Sequence, residues 1–273
     1  MKSRLLVAAV CIPALLVIIY ALPPIAWTLL VAAMCGISAY ELLHTTGYVT
    51  GGRMLFCCVL TAAAVPIWNY FGSPPVFGFA WLLALYFLLS GEMLYSGGKL
   101  SFATLAYAFY GAVLVPLLLS SLVRILIGDF GKYYIVVPII IAFVADAAAL
   151  FSGMLFGKHK LAPVISPKKT VEGMIGGVFG AMVGMGIYCL VVFFAFRQTP
   201  NVYLALVYAL LGSLASVLGD LNFSVIKRQT GIKDYGNLLP GHGGVLDRFD
   251  SMVFTAPLVE LLILWLPLFQ VTT

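Results

Sequence analysis

Charge is scarce in this chain. Only 9% of its 273 residues are Asp, Glu, Lys or Arg, and it has three histidines. With 63% hydrophobic residues and a mean hydropathy of +1.09, too few polar side chains remain to cover a soluble core, which excludes an ordinary soluble domain. There is no basic arm and no soluble module to carry one, so the net charge of +5 implies no nucleic-acid partner. The cysteines Cys11, Cys35, Cys57, Cys58 and Cys189 all fall in apolar stretches, and none is spaced with a histidine as a metal site requires. They read as small packing residues, not as a disulfide framework. Internal repeats, inverted duplications and low-complexity segments are all missing, which weakens a transporter reading.

What the chain does have is long apolar runs. Nine candidate spans lie near 5–21, 25–41, 54–71, 76–91, 102–123, 133–156, 172–196, 202–223 and 251–269. Breakers such as Pro23-Pro24 and Gly97-Gly98 separate them. The expected fold is an all-α integral membrane protein, a polytopic helical bundle of about nine transmembrane helices. Met1 to Arg4 followed by an apolar run imitates a signal peptide, but the run is long and further spans follow at once, so a retained first helix is expected. With the N-terminus inside and nine crossings, twelve of the fifteen Lys and Arg residues fall on the inner side, and only Arg124, Lys132 and Arg197 lie outside. That bias predicts a cytoplasmic N-terminus and an external C-terminus. Residues 1–130 read as a packing and lipid-facing part. Residues 131–273 read as the part that carries chemistry, on cytoplasmic loops 157–172 and 222–250.

The second loop is the most polar stretch, holding Lys227, Arg228, Lys233, Asp234, His242, Asp247, Arg248 and Asp250. Charge gathered at a bilayer boundary marks a functional site. Asp247 and Asp250 are three apart and share a helix face; Asp220 ends the eighth span. If the eighth and ninth helices are neighbours, the three carboxylates converge. A divalent ion, Mg²⁺ where phosphates and water complete the shell, then relieves their repulsion. The alternative is ion pairing of Asp247 and Asp250 with Arg248, Lys227 or Arg228. Gly241, Gly243 and Gly244 permit backbone N–H groups to face an anion at a helix N-terminus. His242 either donates to a phosphate, acts in proton transfer or orients the loop.

In the first loop Ser166 and Pro167 read as the N-cap and first residue of a helix, which places Lys168 and Lys169 on its first turn. Cations there oppose the helix dipole, an arrangement that makes sense around an anion. Glu172 reads as a capping group or a lysine partner. Asp146, in apolar company, is either satisfied by a neighbouring helix or part of a polar cavity. Glu41 and Glu92, at span ends, read as solvated boundary residues. Gly173, Gly177, Gly176, Gly180 and Gly184 form small-residue pairs four apart, which serve either packing within the chain or a homodimer seam.

The pattern Ser224-x-x-Lys227-Arg228-x₄-Lys233-Asp234-x-Gly236-x₃-Pro240-Gly-His242-Gly243-Gly244-x-x-Asp247-Arg248-x-Asp250 resembles the signature of the phosphatidate cytidylyltransferases, also called CDP-diacylglycerol synthases. Ser166-Pro-Lys-Lys-Thr170-x-Glu172-Gly173, and Asp146 with the Gly153–Lys158 segment, look like the same family; Ala148 to Phe151 departs from it by lacking a tyrosine. The resemblance covers the chain from about residue 140 onward. It implies transfer of a cytidylyl group from CTP to phosphatidate with release of diphosphate, dependent on Mg²⁺, with a second, monovalent cation as an option. It further implies that Asp220, Asp247 and Asp250 hold the metal, and that Lys227, Arg228, Lys233 and Arg248 hold phosphates. Asp234 and His242 then orient these groups. Ser166, Lys168, Lys169, Thr170, Gly243, Gly244 and Asp146 contact substrate. The implied setting is a bacterial inner membrane with the site facing the cytoplasm. A CTP-using enzyme on another lipid, such as a polyprenol kinase or an archaeal-type lipid cytidylyltransferase, is the alternative; a transporter is a weaker one.

Overall fold

The structure, a computed structural model, describes residues 13–49, 52–72, 74–236 and 243–269. It is 78% helical. After a helical stretch over 13–20 (α1) come α2 (Pro24–Thr45), α3 (Gly52–Phe71) and α4 (Pro75–Tyr95). A composite helix follows: α5 (Phe102–Phe109), a π-helical turn (Tyr110–Leu114), α6 (Val115–Leu119) and α7 (Ser121–Ile127). Pro116 has no N–H to donate backward, and the wide turn falls just before it. Then come α8 (Gly131–Tyr134), α9 (Val136–Phe156), the hairpin strands β1 (Lys160–Ala162) and β2 (Ser166–Thr170), α10 (Val171–Phe196), α11 (Val202–Gln229), the short α12 (Leu246–Phe249) and α13 (Met252–Trp265).

Among the described residues, seven helical stretches are long and apolar enough to cross a membrane, namely Pro24–Thr45, Gly52–Phe71, Pro75–Tyr95, Phe102–Ile127, Gly131–Phe156, Val171–Phe196 and Val202–Gln229. Their outward faces are apolar: Phe79, Leu94, Phe179 and Phe194 are among many large exposed hydrophobics. The chain is an integral membrane protein. The candidate span 5–21 lies mostly outside the described residues. In the ninth, 251–269, the described residues form a helix of 14 residues.

The chain divides into two compact units, Met1–Ile127 with Gln229–Arg248, and Gly128–Arg228 with Phe249–Thr273. In the first, α2 packs along α3, and the Trp27 indole donates to the Leu122 carbonyl at 3.1 Å. Leu43, Cys58, Leu89, Ala108 and Ala112 belong to its buried core. Cys35, Cys57, Cys58 and Cys189 are free thiols, as expected of packing residues; Cys11 lies outside the described residues.

In the second unit α9 and α10 lie against each other along their length. Gly173, Gly176, Gly177 and Gly180 meet Ala145, Ala148, Ala149 and Ser152 of α9, and Gly184 meets Ile140 and Val144, so these glycines serve packing within the chain. Gly212 of α11 accepts Ile141 in the same way, and Gly219 lies against the backbone of Asp250 and Ser251. An aromatic cluster of Phe130, Tyr133, Tyr134 and Phe269 closes one end, where the Tyr134 hydroxyl accepts the Phe269 N–H at 3.1 Å.

A Cβ on Gly177 would sit 2.9 Å from the Ala145 carbonyl oxygen and 3.1 Å from the Ala149 Cβ. Gly177→Leu therefore lowers the detergent-solubilised melting temperature, by overpacking that costs about 1–3 kcal/mol. Gly186, with nothing within 4 Å of its Cβ position, tolerates Gly186→Ala without loss in the same melting assay.

Candidate active site

Residues 166–170 are strand, not helix. The Ser166/Pro167 cap reading is corrected: Thr170 is the N-cap of α10, and its side chain accepts the Gly173 N–H at 3.1 Å. Pairing of Lys160 with Thr170 and of Ala162 with Ser166 holds the segment extended, a state that β-branched Thr170 favours. Extended backbone sends successive side chains to opposite faces. Lys168 is exposed, while Lys169 is half-buried and ion-paired through Nζ to Asp220 Oδ2. The two lysines therefore do not act as a pair on one helical turn. Ser166 is half-buried on the same strand. Glu172 accepts the N–H groups of Lys158 and His159 and bonds the His159 ring, so it braces the hairpin.

Asp220 lies on one face of α11 with Ser216, Ser224 and Lys227, at helical spacing. The Ser224 hydroxyl donates to Asp220 at 3.3 Å. The Ser216 hydroxyl donates to Asp146 Oδ1 on α9 at 3.4 Å, and Ser251 Oγ donates to Asp146 Oδ2 at 3.5 Å. Asp146 is thus both satisfied by neighbouring helices and part of a polar cluster. Asp250, between α12 and α13, is 7% exposed and accepts the Ser251 N–H at 2.8 Å. Burial first, and then the Asp220 charge, push its carboxyl well above the usual range, against the opposing pull of Lys227. Asp146, Asp220 and Asp250 therefore share one electrostatic neighbourhood with Lys169 and Lys227, drawn from α9, β2, α11 and the link between α12 and α13. Arg228, one residue beyond, donates from Nε to the Ile165 carbonyl at 3.2 Å and ties α11 to the hairpin turn.

The other signature residues belong to the first unit. Asp247 Oδ2 accepts the N–H of Tyr235 at 2.8 Å and of Gly244 at 3.0 Å. Gly243 has a positive φ of 81°, a conformation glycine adopts without steric cost. The Gly244 N–H does face an anion, here the chain's own Asp247 carboxylate. Lys233, Asp234 and Arg248 are exposed; His242 and Gly241 lie outside the described residues. The reading of Glu41 is corrected too. It is 4% exposed, and its carboxylate accepts the N–H of Val245 at 3.0 Å and of Leu246 at 2.8 Å. Glu92 is partly covered and pairs with Arg53 at 2.5 Å.

Three contributors escaped the sequence reading: Glu41, Ser216 and Ser251. Ser216 was visible in principle, four residues before Asp220 on a helix that is otherwise apolar there. Glu41 gave no local signal, because its partners are more than 200 residues away. Among the described residues, no three His, Cys, Asp or Glu side chains stand close enough to hold a metal ion as placed.

The sequence pattern of the Cytidylyltransferase family matches residues 2–266. The chain belongs to that family. It is 34% identical over 276 aligned residues to a phosphatidate cytidylyltransferase of Bacillus subtilis (strain 168), an alignment covering 96% of this chain and 97% of the relative. It is 37% identical over 183 residues to proteins of the same name in Staphylococcus haemolyticus (strain JCSC1435) and Staphylococcus aureus (strain COL), covering 67% of this chain and 68% of each relative. Membership accounts for the likeness of the 224–250 pattern to the family signature.

The cap assigns Thr170 a definite cost. Thr170→Ser keeps the accepting oxygen and holds the melting temperature near that of the parent. Thr170→Val loses about 1 kcal/mol, read as a lower melting temperature in detergent.

Proposed function

We propose that this chain is a phosphatidate cytidylyltransferase that joins CTP and phosphatidate into CDP-diacylglycerol and diphosphate at the cytoplasmic face of a bacterial inner membrane. The observation that carries this reading is the gathering of Asp146, Lys169, Asp220, Lys227 and Asp250 in an otherwise apolar protein. Relatives that carry this activity in their names support the choice of substrates. The inner-side bias of Lys and Arg, and the bacterial source of those relatives, support the location.

The chemistry needs little proton transfer. A phosphate oxygen of phosphatidate, already ionised, attacks the α-phosphorus of CTP; the bond from that phosphorus to the bridging oxygen breaks, and diphosphate leaves. The barrier is chiefly electrostatic, because two anions must meet and charge builds on the leaving group. Lys169 and Lys227 are placed to hold phosphate oxygens, and Lys169 does so by exchanging its Asp220 partner for substrate. Ser216, Ser224 and Ser251 keep the carboxylates oriented. Three acids against two lysines leave an excess of hard oxygen donors, and burial, with the Asp220 charge second, raises the Asp250 carboxyl. That donor set fits Mg²⁺, with Asp220 and Asp250 as its holders in this reading and Asp146 beside them. Bound there, Mg²⁺ would supply charge neutralisation for the triphosphate.

Incubation of the purified protein with labelled CTP and phosphatidate tests the reading. Labelled CDP-diacylglycerol and equimolar diphosphate are expected with Mg²⁺, and loss of both with EDTA. Asp220→Asn and Asp250→Asn are each expected to lower kcat by about 100-fold or more while the protein still inserts and purifies. Turnover with another lipid acceptor but none with phosphatidate would overturn the substrate assignment. Near-parental rates in both variants would overturn the site.

A further inference from the structure

We infer that Glu41, on a helix far from the family signature in sequence, is the positioning residue that sets the backbone carrying Asp247 and Arg248. The inference rests on the proposed reaction for the importance of that backbone, and on independent geometry for the clamp itself.

Glu41 lies one turn from the end of α2, in the same compact unit as residues 229–248. An acid near a helix C-terminus faces the unfavourable end of the dipole, and one that is 4% exposed has also lost its water. Its two oxygens recover this cost separately: Oε1 accepts the Val245 N–H and Oε2 the Leu246 N–H. One turn further along α2, the Thr45 hydroxyl donates to the Tyr235 carbonyl at 2.7 Å. Two side chains on one helix face thus grip residues 235 and 245–246.

The glycines nearby supply a second, independent observation. A Cβ on Gly236 would stand 2.5 Å from Glu41 Oε1, and one on Gly244 would stand 2.5 Å from Oε2. Neither glycine has a positive φ, unlike Gly243. Their lack of a side chain therefore answers the approach of the Glu41 carboxylate, not a backbone conformation. Two glycines of the signature are explained by an acid about 200 residues upstream. What the clamp fixes is specific. Leu246 is fully buried, its neighbour Asp247 returns bonds to Tyr235 and Gly244, and Arg248 follows in the same turn. A shift of the backbone at 245–246 moves both signature side chains together.

The test compares full-length Glu41→Gln and Glu41→Ala with the parent in detergent. Three quantities are read: melting temperature, kcat and KM for CTP per folded molecule, and hydrogen–deuterium exchange of the peptide over 243–249. Glu41→Gln presents an amide NH₂ to one of the two N–H groups while keeping the side-chain volume. The expected result is a kcat lower by roughly 10- to 100-fold, faster exchange confined to 243–249, and a melting temperature close to the parent's. A kcat within about twofold of the parent in both variants, or a loss that follows only the folded fraction, overturns the inference, as does failure of both variants to fold. An inactive parent sinks the reaction proposed above and leaves the exchange measurement to decide this inference: unchanged exchange at 243–249 in Glu41→Gln overturns it, faster exchange supports it.

Discussion

A carboxylate that leaves water needs a cation or peptide N–H groups, and the chemistry-bearing part of this protein is organised by that need. Asp220 is met by Lys169, Glu41 by Val245 and Leu246, and Asp247 by Tyr235 and Gly244. Asp146 is met by two serine hydroxyls. Asp250 is the exception in degree: one backbone N–H answers it, burial and a like charge oppose it, and its proton affinity rises. An apolar chain with ten acids keeps such groups only where they do something. The acids that are fully answered by backbone fix loops. The acids that share two lysines among three keep unspent charge.

Much of this was legible in the sequence. Apolar runs of about twenty residues gave most of the membrane helices, and the departure of Asp146 and Asp220 from their apolar surroundings marked the cluster. What the sequence hid depends on distance along the chain. A helix cap is local, yet Ser166-Pro167 and Thr170 both satisfied its pattern, and the choice fell to strand pairing with Lys160–Ala162. That pairing also separates Lys168 from Lys169, which no composition argument could foresee. Glu41 illustrates the limit most sharply. At the end of an apolar helix an acid normally reaches solvent, and only the fold brings the 245–246 amides to it.

The glycines divide along the same line. On α10 they bring two helices into contact, as small residues do in lipid, and α9 answers with alanines and a serine at matching spacing. At Gly243 the backbone takes a positive φ. At Gly236 and Gly244 glycine makes room for one carboxylate. A sequence pattern records all three as the same letter. The physical reasons differ, and so do the residues that depend on each.

The proposed transfer asks more for charge than for proton transfer. A nucleophile that is ionised before it binds needs no base. Work on two polyanions depends instead on charge held still. Serine hydroxyls and backbone amides hold the acids, and the acids hold the lysines, each step fixing the next. Rigidity of that kind is costly to assemble on mobile loops. Here it is built on α9, α11 and the hairpin that leads into α10, elements whose own placement comes from close-packed glycine and alanine faces. The apolar scaffold and the polar cluster are therefore one device: without close helix contact the carboxylates would separate, and their charge could not be concentrated on a single site.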